Sequence, residues 1–441
     1  NEVRAGKFPQ AIIDTAVHRV LRVKAAIGLF DDPYRGASVE RERRDILTPQ
    51  HRAAAREIAR ESIVLLTNRP AGAGPALPLR RTIRSLAVIG SLANDSGAPL
   101  GSWHGAGRAE DVVTVLAGLR NALPNVQIGY APGVPLDTVR IDDQRYAAGI
   151  EEAARLAASA DAVILVVGEH ADMSGESASR TYLGLPGAQQ QLVERVVRAA
   201  RTSNFDKPVI AVLMSGRPLA VQWLADSASA LVQSWFLGVE HGNALADVLF
   251  GEHPPSGKLP VTFPRVTGQV PIYYNHKNTG RPPVDRQKYT SNYIDVSWTP
   301  LFPFGHGLSY TTFGYANLRV SRDSLRGTES LEVSVDVTNT GQRAGTEVVQ
   351  LYLRDDAASV TRPVRELRGF RRVMLQPGER RSVTFRLGRD DMAFHDREMR
   401  RVVEPGSFTV WVGGSSAATL QGRFRVVGGV SVLTEAAPRL H

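Results

Sequence analysis

Read residue by residue, the 441-residue chain is a largely parallel α/β sandwich followed by an all-β sandwich, with one short helix in front that belongs to neither. Three observations carry this reading. Short apolar runs alternate with helical stretches between about Thr48 and Pro271. From about Phe313 the hydrophobic period drops to two. An amphipathic stripe opens the chain, and the segment after it is polar and carries no matching apolar stripe.

In that opening helix Ile12, Ala16, Val20, Val23 and Ile27 recur at three- and four-residue steps, Pro9 stands near the start and Gly28 follows the last turn. The stretch from Asp31 to Thr48 is polar and densely charged. Asn1 is not an initiator Met, and no charged-then-apolar signal segment follows it. The expectation is that the helix's partner lies upstream and that this is the C-terminal portion of something longer.

The strands expected next are Leu86–Gly90, Asp161–Gly168, Val209–Gly216 and Leu231–Trp235. They are continuous apolar runs, as required when both faces of a sheet are covered. The helices expected between them are Ala109–Ala122, Gln144–Ala158, Gly187–Ala200, Leu219–Ala225 and His241–Phe250. Pro264 to Tyr310 is rich in Pro, Gly, Tyr and Asn without a helical period, and reads as an ordered connector. Its rings at Tyr273, Tyr274, Tyr289, Tyr293, Trp298, Phe302 and Phe304 would be costly to leave exposed. Beyond it, Leu331, Val333, Val335 and Val337 alternate with polar residues, and Val348–Leu353, Arg381–Phe385 and Phe408–Val412 continue the pattern. Turn residues at Asn339-Thr340-Gly341, Pro377-Gly378 and Pro405-Gly406 punctuate a β-sandwich.

Composition removes several function classes. No run approaches the roughly 20 apolar residues of a membrane span. The absence of cysteine excludes a disulfide scaffold, a Cys-ligated zinc site and a cysteine nucleophile. The net charge of +9 comes from arginine, but it is spread along the chain. Its densest cluster, Arg41, Arg43 and Arg44, is interleaved with Glu40, Glu42 and Asp45, which argues against a nucleic-acid interface. There is no phosphate loop, no G-x-S-x-G elbow and no H-E-x-x-H pair. His51, His241 and His253 lack a companion at ligand spacing, so solvated or capping roles are expected for them.

Two loops hold the candidate chemistry. Gly168 to Gly187 leaves the carboxyl end of the second strand, where ligands of parallel α/β sheets gather. At about 18 residues it exceeds the usual two to six. It carries Glu169, His170, Asp172, Glu176 and Arg180, with Gly175 permitting a sharp bend before Glu176. From the residues alone, Glu176 is either a solvated carboxylate or a general acid/base. The second loop, Leu92 to Arg108, places Trp103 among small and polar residues. Trp103 is either a stacking platform for a sugar ring or an anchor packed on its own domain.

These strings carry a resemblance. GSWHGAGR (101–108), VVGEHADMSGESASRTYLGLPG (166–187), GNALADVLFGEHPPSGKLPVTFPR (242–265) and LFPFGHGLSYTTF (301–313) are similar to the bacterial periplasmic β-glucosidases of glycoside hydrolase family 3. VTNTGQRAGTEVVQLYLRD (337–355) resembles the family's fibronectin type III module. The resemblance implies a (β/α)8 barrel, then an α/β sandwich, then the fibronectin-like domain. KFPQAIIDTAVHRVLRVKAAIGLFDDPY (7–34) looks like the last helix of that barrel, the TIM barrel, and its exit. The implied layout is barrel remnant 1–36, linker 37–50, α/β sandwich 51–275, connector 276–315, fibronectin type III-like domain 316–427 and tail 428–441.

The family cleaves β-glycosides with retention, using an Asp nucleophile on the barrel and a Glu acid/base on a sandwich loop. Glu176 in SGESASR matches the acid/base position, whereas no Asp here precedes Trp, Tyr or His, as the nucleophile motif requires. Trp103 resembles an aglycone-site Trp, and Arg180 either orients Glu176 for substrate binding or pairs within the loop. The resemblance implies a β-glucoside or oligosaccharide substrate, a periplasmic or secreted location, and no metal or organic cofactor. A homodimer stays among the open readings. So do a non-catalytic carbohydrate-binding or scaffolding chain and an accessory half that complements a separate barrel. An unpaired apolar stripe at the start argues against a self-sufficient module.

Overall fold

The computed structural model describes residues 2–136 and 146–433. The first two residues of the expected helix Gln144–Ala158 and the tail 434–441 lie outside the described residues. The chain falls into two units, Asn1–Ala54 and Ala55–His441.

The first unit holds helices α1 (Gln10–Ala26) and α2 (Val39–Asp45). Neither buries any residue, and Ile12, Val20, Val23 and Ile27 are all more than half exposed. Ser38 caps α2 by accepting the Arg41 N–H at 3.2 Å. Helix α3 (Pro49–Ser62) then leads into the second unit.

A six-stranded sheet organises the α/β part: β1 (Val64–Asn68), β2 (Ser85–Ile89), β3 (Gln127–Ala131), β4 (Ala162–Gly168), β5 (Val209–Met214) and β6 (Ala230–Gln233). Their spatial order is β1-β6-β5-β4-β2-β3, with β1 antiparallel to β6 and every other pairing parallel. Strand β4 shows why the apolar runs are unbroken. Val163, Leu165 and Val167 enter one core with α5 (Ala147–Ser159) and α6 (Gln189–Ser203). Ala162, Ile164 and Val166 enter the other, with α4 (Val115–Ala122) and α8 (His241–Leu249). A short α7 (Gln222–Ser227) precedes β6. Strands β1 and β3 escaped the sequence reading because β1 follows directly on helix α3, β3 mixes Gln127 and Gly129 into its five residues, and both are too short to show a period.

On the second face α4 and α8 approach closely through glycine. A Cβ at Gly242 would lie 1.9 Å from the Thr114 carbonyl oxygen, and one at Gly118 would lie 2.1 Å from the Gly242 carbonyl carbon. Gly242→Ala is therefore expected to destabilise by about 1–3 kcal/mol through overpacking. Chemical denaturation reads this as a lowered midpoint, and an unchanged midpoint would mean that the helices stand further apart.

The β-sandwich packs a five-stranded sheet on a three-stranded one. With β7 (Phe313–Val320), β8 (Ser324–Arg326), β9 (Leu331–Asn339), β10 (Gly345–Asp355), β11 (Glu366–Leu375), β12 (Arg380–Leu387), β13 (Gly406–Gly413) and β14 (Gln421–Val427), the orders are β8-β14-β13-β10-β11 and β12-β9-β7. Strand β9 buries Leu331, Val333, Val335 and Val337 and turns the residues between them outward, as its alternation requires. The connector ties the two parts together. Leu308 donates its N–H to the Leu65 carbonyl at 2.8 Å, and Lys258 reaches the buried Glu347 at 3.2 Å.

The expectation that all connector rings are buried needs correction. Phe302 is buried and Tyr274 stacks on Phe304, but Tyr273, Tyr289 and Tyr293 stay exposed. No strand or helix runs between Thr267–Gln269 and Phe313, so nothing forces these rings to one face. His241 is likewise not solvated. It is fully buried, its Nδ1 accepts the Leu237 N–H at 3.3 Å, and burial pushes its pKa down to about 3.

One carboxyl in the sandwich predicts a pH dependence. Burial pushes Asp355, at the end of β10, up to about 6, with Arg362 and the Ala357 N–H offsetting part of the effect. The folded state thus holds this proton more tightly than the unfolded chain. The resulting stabilisation is complete below the ordinary Asp pKa near 4 and is lost as pH rises through about 6. Asp355→Asn is expected to raise the melting temperature at pH 8 and to leave it nearly unchanged at pH 4, as thermal unfolding at the two pH values would show.

Candidate active site

Strand order locates the site before any side chain is considered. From β2 the chain moves outward to β3, then returns to β4 on the other side of β2. Loops leaving β2 and β4 therefore set off toward opposite faces of the sheet, at the crevice position outside the carboxyl ends of its strands. These are the two loops singled out in the sequence.

Glycines at both strand ends make the exits possible. Gly90 has φ +114° and Gly168 φ +135°, and a Cβ would meet the Val166 and Met214 carbonyl oxygens at 2.0 and 2.1 Å. Gln189, buried at the start of α6, closes the base of the Gly168–Gly187 loop. Its Oε1 accepts the Gly168 N–H at 2.8 Å, and its Nε2 donates to the Gly168 carbonyl at 2.9 Å.

Glu176 stands exposed at the tip of a turn in which the Ala178 N–H donates to the Gly175 carbonyl at 3.4 Å. Left-handed backbone flanks it on both sides, at Gly175 (φ +107°) and Ser177 (φ +60°). Gly175 is constrained in space as well. A Cβ there would sit 3.0 Å from Ser102 Cβ and 3.4 Å from Trp103 Nε1, so the two loops touch beside Glu176. Ser102 Oγ ties them together, within hydrogen-bonding reach of the Ala171 carbonyl at 2.5 Å and of the Ser174 carbonyl.

Trp103 is 75% exposed, which leaves a face of its indole open at the crevice instead of packed inside its own domain. Arg180 has a different environment. Its Nη1 donates to Glu169 at 2.5 Å and its Nη2 to the Gly184 carbonyl at 3.0 Å, so its guanidinium braces the loop. Glu169 is completely buried and also receives Arg217 at 3.1 Å. Arg217 in turn donates to the Met173 and Ala178 carbonyls, on either side of the Glu176 turn. Glu169 thus pairs with two arginines in a largely buried setting, and those arginines carry the backbone that presents Glu176.

Arg217 was missed in the sequence. The available signal was Glu169 itself, an acidic residue directly after a fully apolar strand, which demands a cationic partner. His170 lies between Asp95, at 4.0 Å, and Asp172, at 3.3 Å. Among the described residues no group of three or more His, Asp or Glu could hold a metal ion. None of the described helices is long and apolar enough to cross a membrane.

A crevice at a sheet switch point, with an exposed carboxylate on a braced turn beside an open indole, fits a sugar-processing α/β domain. The glycosyl hydrolase family 3 C-terminal domain matches residues 63–310, and a fibronectin type III-like domain matches residues 347–416. The chain belongs to glycosyl hydrolase family 3. It is 42% identical to a periplasmic β-glucosidase of Salmonella typhimurium over 96% of this chain and 57% of that protein. It is 40% identical to a β-xylosidase of Formosa agariphila over 92% of this chain and 54% of that protein. A β-glucosidase from Listeria innocua, solved in complex with glucose, superposes with a TM-score of 0.85 at 37% identity, covering 97% of this chain and 56% of that one. The chain therefore spans a little over half the length of these relatives.

Proposed function

We propose that this chain supplies the general acid/base half of a retaining β-glucosidase that removes terminal β-D-glucosyl residues, with Glu176 as the acid/base. The observation that carries the reading is the braced turn that projects Glu176 into the crevice beside Trp103. The nucleophile is an Asp on a (β/α)8 barrel, held about 5–5.5 Å from Glu176 across the substrate. Glu176 first gives its proton to the glycosidic oxygen as the nucleophile bonds to the anomeric carbon and the leaving group departs. It then takes a proton from the water that releases the sugar. Nothing in this chemistry calls for a metal or organic cofactor. The setting is periplasmic or secreted, as the Salmonella relative's name supports.

Trp103 forms an apolar wall on the leaving-group side. Arg180 serves the substrate only through the loop it braces. Trp103→Ala is expected to raise KM for a β-linked disaccharide about tenfold while kcat changes little, the signature of lost uniform binding. Equal KM values would remove Trp103 from the site.

The test of the whole reading joins this chain to a family barrel and follows an aryl β-glucoside by NMR. Release of β-glucose as the first anomer supports the proposal; α-glucose first, or no hydrolysis, overturns it. The 40% identity to a β-xylosidase favours running the matched xyloside beside it, since the donor sugar is read by the barrel. Glycan binding by the chain without hydrolysis in any barrel-containing form would favour a non-catalytic binding module.

A further inference from the structure

The exposed rings of the connector form a second feature that the acid/base reading does not use. Two of them, Tyr273 and Tyr293, line a cleft of about 660 Å³ between the connector and the β-sandwich, within the size range of small-ligand pockets. No lining residue belongs to the Leu92–Arg108 loop or to the Glu176 loop.

Its floor is rigid. Tyr274 stacks on Phe304 with ring centres 4.2 Å apart, and Arg365 lies over the Trp411 ring at 4.5 Å. Its walls carry Tyr273, Tyr293 and Trp298, of which Tyr273 is 63% exposed. Its rim holds neutral hydroxyls, with Thr279 Oγ1 and Ser291 Oγ 2.8 Å apart. Among the described residues no carboxylate lines the cleft. Of the two arginines among its described lining residues, Arg365 donates to the Ser416 and Ala418 carbonyls, and Arg354 lies 3.8 Å from Asp356.

Aromatic faces and hydroxyls make up more of this lining than its charged groups Arg354 and Arg365 do. A cation finds no acidic partner, and an anion finds guanidiniums already engaged. Flat apolar walls with a hydroxyl-bearing rim instead suit a ligand that has apolar faces and polar edges, which is the geometry of a pyranose ring on an aromatic side chain. We infer that the cleft between the connector and the β-sandwich is a binding site for a neutral β-glucan oligosaccharide, separate in its residues from the Glu176 loop. The choice of sugar rests on the glycosidase reading; the ring-and-hydroxyl lining does not.

Calorimetric titration of this chain with β-1,3- and β-1,4-linked glucose tetramers tests the site, with intrinsic tryptophan fluorescence as a second readout. Saturable binding is expected that weakens at least about tenfold in Tyr273→Ala and in Trp298→Ala, a loss of about 1.4 kcal/mol. Trp103→Ala should leave it unchanged. Tyr273 is mostly exposed, so its variant reports on binding even if Trp298→Ala folds poorly. No saturable binding at millimolar tetramer, or binding that Tyr273→Ala does not weaken, overturns the inference. Aryl β-glucoside hydrolysis by the barrel-joined enzyme is measured in parallel. Hydrolysis without Tyr273-dependent binding removes the cleft alone, whereas Tyr273-dependent binding without hydrolysis removes the glycosidase reading and keeps the cleft.

Discussion

Glu176→Gln, in an enzyme that joins this chain to its barrel, is expected to lower kcat on a disaccharide by about 10²–10⁴-fold, the usual contribution of a positioned acid/base. The amide keeps the size of the side chain but can neither give a proton to the glycosidic oxygen nor take one from water. Activated aryl glucosides separate the two steps. Their leaving groups depart without protonation, so the glycosyl-enzyme still forms and then waits for a base. A stoichiometric burst of the aryl alcohol followed by slow turnover is the expected trace, with a lowered KM. Azide, which attacks without base assistance, should restore turnover and yield a β-glucosyl azide. Steady wild-type turnover of both substrate classes would remove Glu176 from the mechanism.

Glu169→Gln should have the second-largest effect, although Glu169 is completely buried and acts only through the arginines it holds. The substitution leaves Arg180 and Arg217 without their carboxylate in a largely dry cluster, which typically costs about 3–5 kcal/mol. A lowered denaturation midpoint in this chain alone is the first readout. The second is amide exchange over residues 173–178, where Arg217 now grips the backbone. Protection there should fall further than in β4 or β5, because the turn loses its anchor before the sheet does. In the barrel-joined enzyme kcat should fall more than KM rises, since the acid/base is misplaced while the sugar contacts stay. Unchanged exchange over the turn, with or without a stability loss, would reduce Glu169 to a packing residue.

Much of this was readable before the structure, and the reasons are local. The runs of β4 and β5 are apolar throughout because both faces are covered, so no period competes with the strand reading. The alternation of β9 is equally plain, because one face meets a core and the other meets water. Glu176 stood out through loop length, the preceding glycine and family resemblance together. Edge strands β1 and β3 did not stand out, since five residues leave no period to count.

Interactions between distant segments belonged to the tertiary structure. The loop that carries residues 169 and 174 meets residues 102 and 217 only because β2, β4 and β5 are neighbours in the sheet. No spacing in the chain encodes the bridge from Arg217 to the Glu176 turn, which spans about 40 positions. For Arg180 the sequence left two readings open, orienting Glu176 or pairing within its loop, and its guanidinium lies on the buried Glu169 of that loop. Local pattern decides which segments become strands and helices, because propensity and burial act over a few residues. Which charged groups pair is decided by burial. A carboxylate removed from water must take the cations that folding brings to it, whatever their place in the chain.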